Sequence, residues 1–155
     1  MRRKDKEICG EAAIVAILDR ARVCRLAMVD GDSPYVVPLC FAYQDGALYV
    51  HSALKGRKVD LMQKNPRVCF EVDDLLETVE AEDPCNWSLR YQSVIGFGRA
   101  VFVEDPEEKK KGLAMIFCRY AGRDGVFSEG KIQATAVIRI DIDTITAKGT
   151  ADNAV

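Results

Sequence analysis

The chain has 155 residues, 48% of them hydrophobic, and a formal net charge of −2. This length predicts one globular domain with a sizeable core. The near-neutral charge argues against nucleic acid as the main partner, because binding to a phosphate backbone relies on clustered cations. No apolar run approaches the roughly 20 residues that a membrane span needs. The first apolar segment is short and carries Glu11 and Asp19, so no signal peptide is expected.

The cysteine pattern argues against a metal site and for a reducing location. The six cysteines are widely spaced and the chain has one histidine. No zinc site or other metal site is therefore expected. Cys24, Cys40 and Cys69 lie in strand-like runs and are predicted to be small buried hydrophobic residues. Free thiols predict a cytoplasmic protein.

The first half of the chain predicts a helix and then an antiparallel meander. Apolar spacing predicts an amphipathic helix over 8–21. Strands are predicted over 22–30, 35–43 and 47–52, with turn signals at Asp30-Gly31 and Asp45-Gly46. Pro38 has no N–H to donate, so its position in the second strand predicts an edge, a bulge or a binding surface.

The second half alternates helices and longer strands. Helices are predicted over 59–64 and 106–120, strands over 67–73, 91–103 and 134–148, an acidic loop over 74–83, and a loop over 121–133. Gly96 and Gly98 would let the fifth strand bend, as barrel strands must. Six strands and three helices predict an α+β architecture, most simply a small barrel. The domain is expected to span 1–148, with a disordered tail over 149–155.

One stretch concentrates residues that suit a phosphate. It contains the only histidine, His51, then Gly56, Arg57 and Lys58, immediately before a predicted helix. A helix N-terminus presents free N–H groups and partial positive charge, and arginine and lysine add cations. Taken alone, the same residues are slightly better explained as an ordinary basic surface loop. Trp87, the only tryptophan, lies in a polar loop, where it could cover a core edge or contact a ligand.

Four segments, in their order and spacing, carry a resemblance to a known family. They are 22–28, 34–39, the His51 to Lys58 stretch and 91–100. Together they closely resemble the nitroimidazole-resistance (Nim) family, which belongs to the pyridoxamine 5′-phosphate oxidase-like, FMN-binding split barrels. The resemblance covers about 1–148, nearly the whole chain.

The resemblance implies a six-stranded antiparallel split β-barrel with flanking helices, which forms a homodimer and holds FMN between two subunits. By position, the candidate cofactor-binding residues are Val36, Val37, Pro38 and Leu39 beside the isoalloxazine ring, His51, Ser52 and Ala53 on the next strand, Arg57 and Lys58 at the phosphate, and Ser93. Trp87 is added as a further candidate. The oxidase branch has an arginine early in its second strand, where this chain has Val36, and further basic residues near its C-terminus, where the tail over 150–155 of this chain has no cation. These departures favour the Nim-like function over pyridoxamine phosphate oxidation.

The resulting functional hypothesis is an FMN-dependent reductase of small molecules, namely nitro compounds such as 5-nitroimidazoles. His51 is the candidate catalytic residue, because an imidazole can stabilise the reduced ring or deliver protons near neutral pH. It could also be a strand histidine satisfied by a hydrogen bond. The alternatives for the chain are a non-catalytic flavin-binding or flavin-storing dimer, a related oxidase of another small molecule, and a haem-binding split barrel, for which a single histidine offers one axial ligand.

Overall fold

An eight-stranded antiparallel sheet forms the centre of the protein in a computed structural model that describes residues 3–150. The strands are β1 (Glu7–Ile8), β2 (Cys24–Asp30), β3 (Ser33–Leu39), β4 (Phe41–Gln44), β5 (Ala47–Ala53), β6 (Arg67–Val79), β7 (Ser88–Phe102) and β8 (Thr135–Gly149). The helices are α1 (Glu11–Arg20), α2 (Arg57–Lys64), α3 (Pro106–Ala121) and α4 (Glu129–Gln133). Short 3-10 turns cover Lys4–Lys6 and Pro84–Asn86.

The sheet closes into a split barrel. Its strand order is β3-β2-β6-β7-β8-β5-β4, and β1 pairs with β8. The two ends of this order meet where the chain passes directly from β3 through Cys40 into β4. The predicted α+β split-barrel class is confirmed. There are eight strands rather than six because β1 adds one and the predicted strand over 35–43 divides at Cys40.

Two apolar cores hold the helices against the barrel. The first fills the barrel interior with fully buried side chains from several strands, and α1 and α2 contribute Ile17, Leu18 and Met62 to it. The second lies between the sheet and the pair α3 and α4, where Leu113 and Ile116 pack near Val137. Ala42 of β4, Tyr49 of β5 and Val137 of β8 point into this second core.

Two glycines in β7 allow the close approaches that bend the sheet. A Cβ atom on Gly96 would lie 2.3 Å from the ring of the buried Phe70. A Cβ atom on Gly98 would lie 2.3 Å from the carbonyl oxygen of Asp141, beside a register shift in the β7–β8 ladder. Larger residues would clash at both positions, and the register shift beside Gly98 is the kind of bulge that bends a strand.

Three predicted element boundaries were wrong. The first helix begins at Glu11 rather than residue 8, because Gly10 has a φ of 98° and Ile8 pairs with Ala147 in the sheet. The acidic segment over 74–83 is not a loop throughout, since β6 continues to Val79 in its ladder with β7. The predicted loop over 121–133 contains α4. Cross-strand pairing and packing override the weak local patterns in these segments.

Three further expectations concern single positions. Cys24 is buried, which raises the pKa of its thiol to about 12, but Cys40 is exposed rather than buried. Pro38 lies on the edge strand β3 in an unbroken register with β2, so its position is an edge and not a bulge. Strand β8 includes Gly149, and the Thr150 N–H donates to the carbonyl of Tyr91. The rest of the predicted tail, 151–155, lies outside the described residues.

Within residues 3–150, none of the helices is both long and apolar enough to cross a lipid bilayer. In the same residues, no group of three or more histidine, cysteine, aspartate or glutamate side chains is arranged to hold a metal ion.

Candidate functional site

The strand candidates lie on β3 and at the end of β5, and the helix that follows β5 reaches β3 through Arg57, whose guanidinium lies over the ring of Tyr35. Along β5 the side chains alternate, so His51 and Ala53 are exposed while Ser52 points inward and is 9% exposed. The Ser52 hydroxyl donates to the carbonyl of Ala53 at 2.7 Å. On β3, Val36 and Pro38 face outward. The inner side chains of β3, Val37 and Leu39, pack against the barrel core. Of the seven strand candidates, Val36, Pro38, His51 and Ala53 therefore offer side chains to a ligand.

The loop after β5 leads into a helix N-terminus that suits an anion. Gly56 has a φ of 132°, a conformation that favours glycine, and it precedes α2 without a side-chain cap. Its carbonyl accepts hydrogen bonds from the N–H groups of Val59 and Asp60. The first-turn N–H groups of Arg57 and Lys58 remain available to a bound group. We call Gly56, Arg57 and Lys58 the anion cradle.

Arg57 is held in a fixed position beside β3. Its Nε and Nη2 atoms donate to the same carboxylate oxygen of Asp30, at 2.9 and 2.7 Å. The guanidinium also lies 4.4 Å from the ring centroid of Tyr35. Because these contacts use two of its five N–H groups, the remaining ones can bind a phosphate. Within residues 3–150, Lys58 forms no ion pair, so its charge is not neutralised by a contacting carboxylate.

An apolar cavity of about 390 Å³ opens beside His51. Its lining residues are Cys40, His51, Leu113, Ile116, Phe117, Tyr120, Ala121 and Phe127. The rings of Phe117 and Phe127 meet edge to face with 5.8 Å between centroids. The Tyr120 hydroxyl already donates to the carbonyl of Arg22 and accepts from the N–H of Phe41. The polar side chains left to meet an occupant are therefore His51 and Cys40.

The sequence patterns did not predict this cavity. Its helical wall is the apolar stripe of α3, which the spacing predicts only as a buried face. Cys40, another contributor, comes from a strand junction far away in the chain, and Phe127 comes from the loop that follows α3. No local pattern distinguishes a stripe that fills a core from one that leaves a cavity beside a strand.

The environment of His51 favours the neutral imidazole. Partial burial lowers the pKa of His51, and the positive charge of Lys58 lowers it further. A neutral imidazole near pH 7 keeps one N–H donor and one acceptor nitrogen. His51 can therefore donate a hydrogen bond to an occupant of the cavity without carrying a charge.

Replacing Lys58 by alanine should raise the pKa of His51 towards the ordinary histidine value. The reason is that one of the two causes of the depression is removed while burial remains. Since His51 is the only histidine, its ring protons can be followed through a pH titration by NMR in untagged protein. Lys64→Ala, at the far end of α2, is the control. An identical pKa in both variants would contradict the coupling.

The lowered pKa of His51 determines whether its contribution to the free energy of unfolding rises or falls with pH. The pKa of His51 is lower in the folded chain than in the unfolded chain, so the unfolded chain binds more protons between the two values. The neutral imidazole thus contributes stability fully above the unfolded pKa, and this contribution is lost as the pH falls towards the folded value.

Ser93 and Trp87 do not join the other candidates within one protomer. Ser93 is 7% exposed on the outer face of β7, which is separated from β3 by β6 and β2, about 15 Å around a curved sheet. Trp87 is 51% exposed at the start of β7, and its indole N–H donates to the carbonyl of Ala81. Whether either residue binds a cofactor stays a prediction that requires a second protomer.

The fold and this arrangement can now be compared with known proteins. A family model described as pyridoxamine 5′-phosphate oxidase matches residues 10–149. The chain belongs to this family. Its members share the split barrel, so the family membership and the observed strand order agree.

Individual relatives support the same family. A candidate 5-nitroimidazole antibiotic resistance protein from Bacteroides thetaiotaomicron is 30% identical, with a TM-score of 0.83 over 92% of this chain and 86% of that one. The FAD and heme binding protein from Mycobacterium smegmatis is 18% identical, with a TM-score of 0.83 over 94% and 73% of the two chains, and shows the fold alone. An uncharacterized protein from Rhizobium meliloti is 38% identical over 50 residues, a match that spans 32% of its length.

Proposed function

We propose that this member of the pyridoxamine 5′-phosphate oxidase family binds FMN and reduces nitro compounds such as 5-nitroimidazoles. The proposal is carried by the position of His51 between an anion cradle and an apolar cavity lined by aromatic rings. It is supported by the similarity to a candidate 5-nitroimidazole resistance protein across most of both chains.

The cradle suits the single phosphate of FMN. One uncapped helix N-terminus with Arg57 and Lys58 beside it provides backbone N–H groups and two cations at one point. The exposed side chains of Val36 and Pro38 offer an apolar surface on which a flat ring can lie. FAD, which the M. smegmatis relative binds, would need additional contacts for its second phosphate and its adenosine. Bound FMN, after reduction by an external electron donor, would supply the electrons for nitro reduction.

The cavity suits a planar, weakly polar substrate. Its walls are mainly aliphatic and aromatic, and His51 is the group that can donate to a nitro oxygen. Nitro reduction also consumes protons, which the protonated form of His51 would deliver and then recover from solvent; the lowered pKa makes that form the stronger acid but the less populated one. His51 is thereby proposed to orient the substrate and deliver protons.

The proposed function is tested by cofactor binding. Titrating apoprotein with FMN, followed by flavin fluorescence, should give saturable binding that is tighter than for FAD. Lys58→Ala should weaken FMN by about 1.5–3 kcal/mol, because a charged hydrogen bond to the phosphate is lost. Riboflavin, which lacks the phosphate, should bind both proteins alike, and Lys64→Ala is the control. An unchanged FMN dissociation constant in Lys58→Ala would remove Lys58 from the site.

Turnover measurements distinguish a catalytic role from flavin storage. An enzyme should consume reductant in proportion to the nitroaromatic acceptor added, whereas a storage protein should release flavin without sustained turnover.

We further propose that the protein is a cytoplasmic homodimer. Its six cysteines are free, and large apolar side chains such as Phe97 and Val36 are more than half exposed on the barrel.

A further inference from the structure

A second cavity lies next to the apolar cavity beside His51. It has a volume of about 330 Å³ and is lined by Pro106, Glu107, Lys110, Phe127, Glu129, Ile132 and Gln133. Unlike the cavity beside His51, it carries two carboxylates and an ammonium group in its lining. We call the two the His51 cavity and the polar cavity.

The two cavities lie end to end along α3. The α3 residues that line them follow one another at spacings of three or four, so they form one face of the helix. In order along that face they include Pro106 and Lys110 at the polar cavity, then Leu113, Phe117 and Tyr120 at the His51 cavity. A helix rises about 1.5 Å per residue, so Lys110 and Phe117 are about 10 Å apart along its axis.

Phe127 stands between the two cavities, because its side chain lines both. It comes from the segment that joins α3 to α4 and packs, partly buried, against the second core. Its side chain therefore closes one end of the His51 cavity and one end of the polar cavity. A smaller residue at this position would join the two spaces.

Contacts on both sides hold this wall in place. The Phe127 ring meets Phe117 edge to face with 5.8 Å between centroids. Gly125 brings the backbone so close to Phe117 that a Cβ atom would lie 2.7 Å from that ring. On the other side, the carbonyl of Ser128 accepts hydrogen bonds from Lys131 and the buried Ile132 at the start of α4. Phe127 is thus fixed between two helices.

We propose that Phe127 determines substrate specificity by limiting the depth of the His51 cavity. A nitro-substituted ring with a short side chain fits beside His51, whereas a longer side chain meets the Phe127 ring and is kept out of the polar cavity. This inference rests on the proposed function and deepens it by naming the substrate class, which is nitroheteroaromatic compounds with short substituents. Small differences in the length of an apolar cavity discriminate between substrates because each methylene group contributes to binding.

A series of ligands of increasing length tests this assignment. The probes are 5-nitroimidazoles that carry ω-hydroxyalkyl chains of increasing length on a ring nitrogen. They are titrated into flavin-loaded, oxidised protein without reductant, so that none is consumed. Binding is followed by NMR through the ring protons of His51, the only histidine of the chain.

The dissociation constant should depend on chain length differently in wild type and in Phe127→Ala. In wild type, each added methylene should tighten binding by about 4-fold until the chain end reaches Phe127, after which binding should tighten no further. In Phe127→Ala the tightening should continue, because the chain enters the polar cavity and its hydroxyl can donate to Glu107 or Glu129. The longest probes should then bind the variant about 10-fold or more tightly than wild type.

Two further variants serve as controls. Val126→Ala changes the neighbouring residue, which is fully exposed and lines neither cavity, so it should show the wild-type dependence on chain length. Phe127→Leu keeps an apolar side chain against the second core and should shift the limit in the same direction by a smaller amount. Melting temperatures are measured for every variant, and if Phe127→Ala does not fold, Phe127→Leu decides the result.

The outcomes distinguish this inference from the proposed function. An unchanged length limit in the folded Phe127 variants, or wild-type affinity that keeps rising with chain length, overturns the inference while nitro reduction can still be observed. A shifted limit without turnover of any nitro compound overturns the reductase function and supports the role of Phe127. If wild type binds none of the probes, both fall together. If the protein takes up no FMN, the same titration of the flavin-free protein tests Phe127 alone.

Discussion

His51→Ala should reduce the turnover of a nitroaromatic acceptor by about 10²–10⁴-fold, the usual contribution of general acid–base catalysis. The physical reason is that His51 supplies the only imidazole at the cavity beside the cradle, where its neutral form can donate a hydrogen bond and its protonated form can deliver a proton. Turnover, flavin content and melting temperature should be measured on the same flavin-loaded sample. Normal flavin content and melting with lost turnover would assign His51 to the chemistry.

Two variants sharpen this experiment. Cys40→Ser changes the other polar side chain of the cavity and should leave turnover within a few-fold of wild type. His51→Gln keeps a hydrogen-bond donor but cannot exchange a proton near pH 7, so it separates substrate orientation from proton delivery. Full activity of His51→Ala with a lowered melting temperature would assign the residue to structure instead.

Arg119→Met should lower the free energy of unfolding by about 2–4 kcal/mol, because two buried carbonyl groups lose a charged donor. Arg119 lies on α3 with only 12% of its side chain exposed. Its Nη2 atom donates to the carbonyls of Leu18 and Ala21 at the end of α1, and the guanidinium lies 4.4 Å from the ring centroid of the buried Phe41. This single side chain therefore joins α1, α3 and the barrel.

The measurement is denaturant unfolding at fixed protein and flavin concentrations, because both can shift apparent stability. Arg90→Met is the matched control: its ion pair with Glu77 is exposed at both ends and should contribute about 0–1 kcal/mol. Equal small losses of unfolding free energy in the two variants would show that the contacts of Arg119 with the end of α1 stabilise the fold no more than an exposed ion pair does.

Much of the barrel follows from local patterns. The turn signals at Asp30-Gly31 and Asp45-Gly46 coincide with the β2–β3 and β4–β5 hairpins, because short glycine turns leave few ways to reverse a strand. Pro106 at the first turn of α3 and Asp105 capping it fix the start of that helix. Each of these features depends on neighbours within a few residues, so the sequence carries them directly.

The extension of β6 to Val79 could not be predicted in this way. The segment over 74–83 is acidic and lacks a clear alternation, and its first part forms a strand because β7 offers Ser88 to Tyr91 as partners across the ladder. The same holds for β1, whose two residues are ordered by pairing with Ala147 and Lys148. Cross-strand contacts rather than the local pattern supply the stabilising free energy in both cases.

The sequence likewise predicts only part of the candidate site. The sequence by itself determined the anion cradle, since Gly56, Arg57 and Lys58 are consecutive and a helix follows them, and it singled out His51 as the one imidazole. Only the tertiary structure decided that α3 and the segment around Phe127 form a cavity against His51, and that Ser93 lies on a strand separated from β3 by β6 and β2. Consecutive residues share a local backbone and reveal their chemistry together. A cavity and the distance between two strands arise only when separate elements pack around a closed barrel, which is a property of the whole fold.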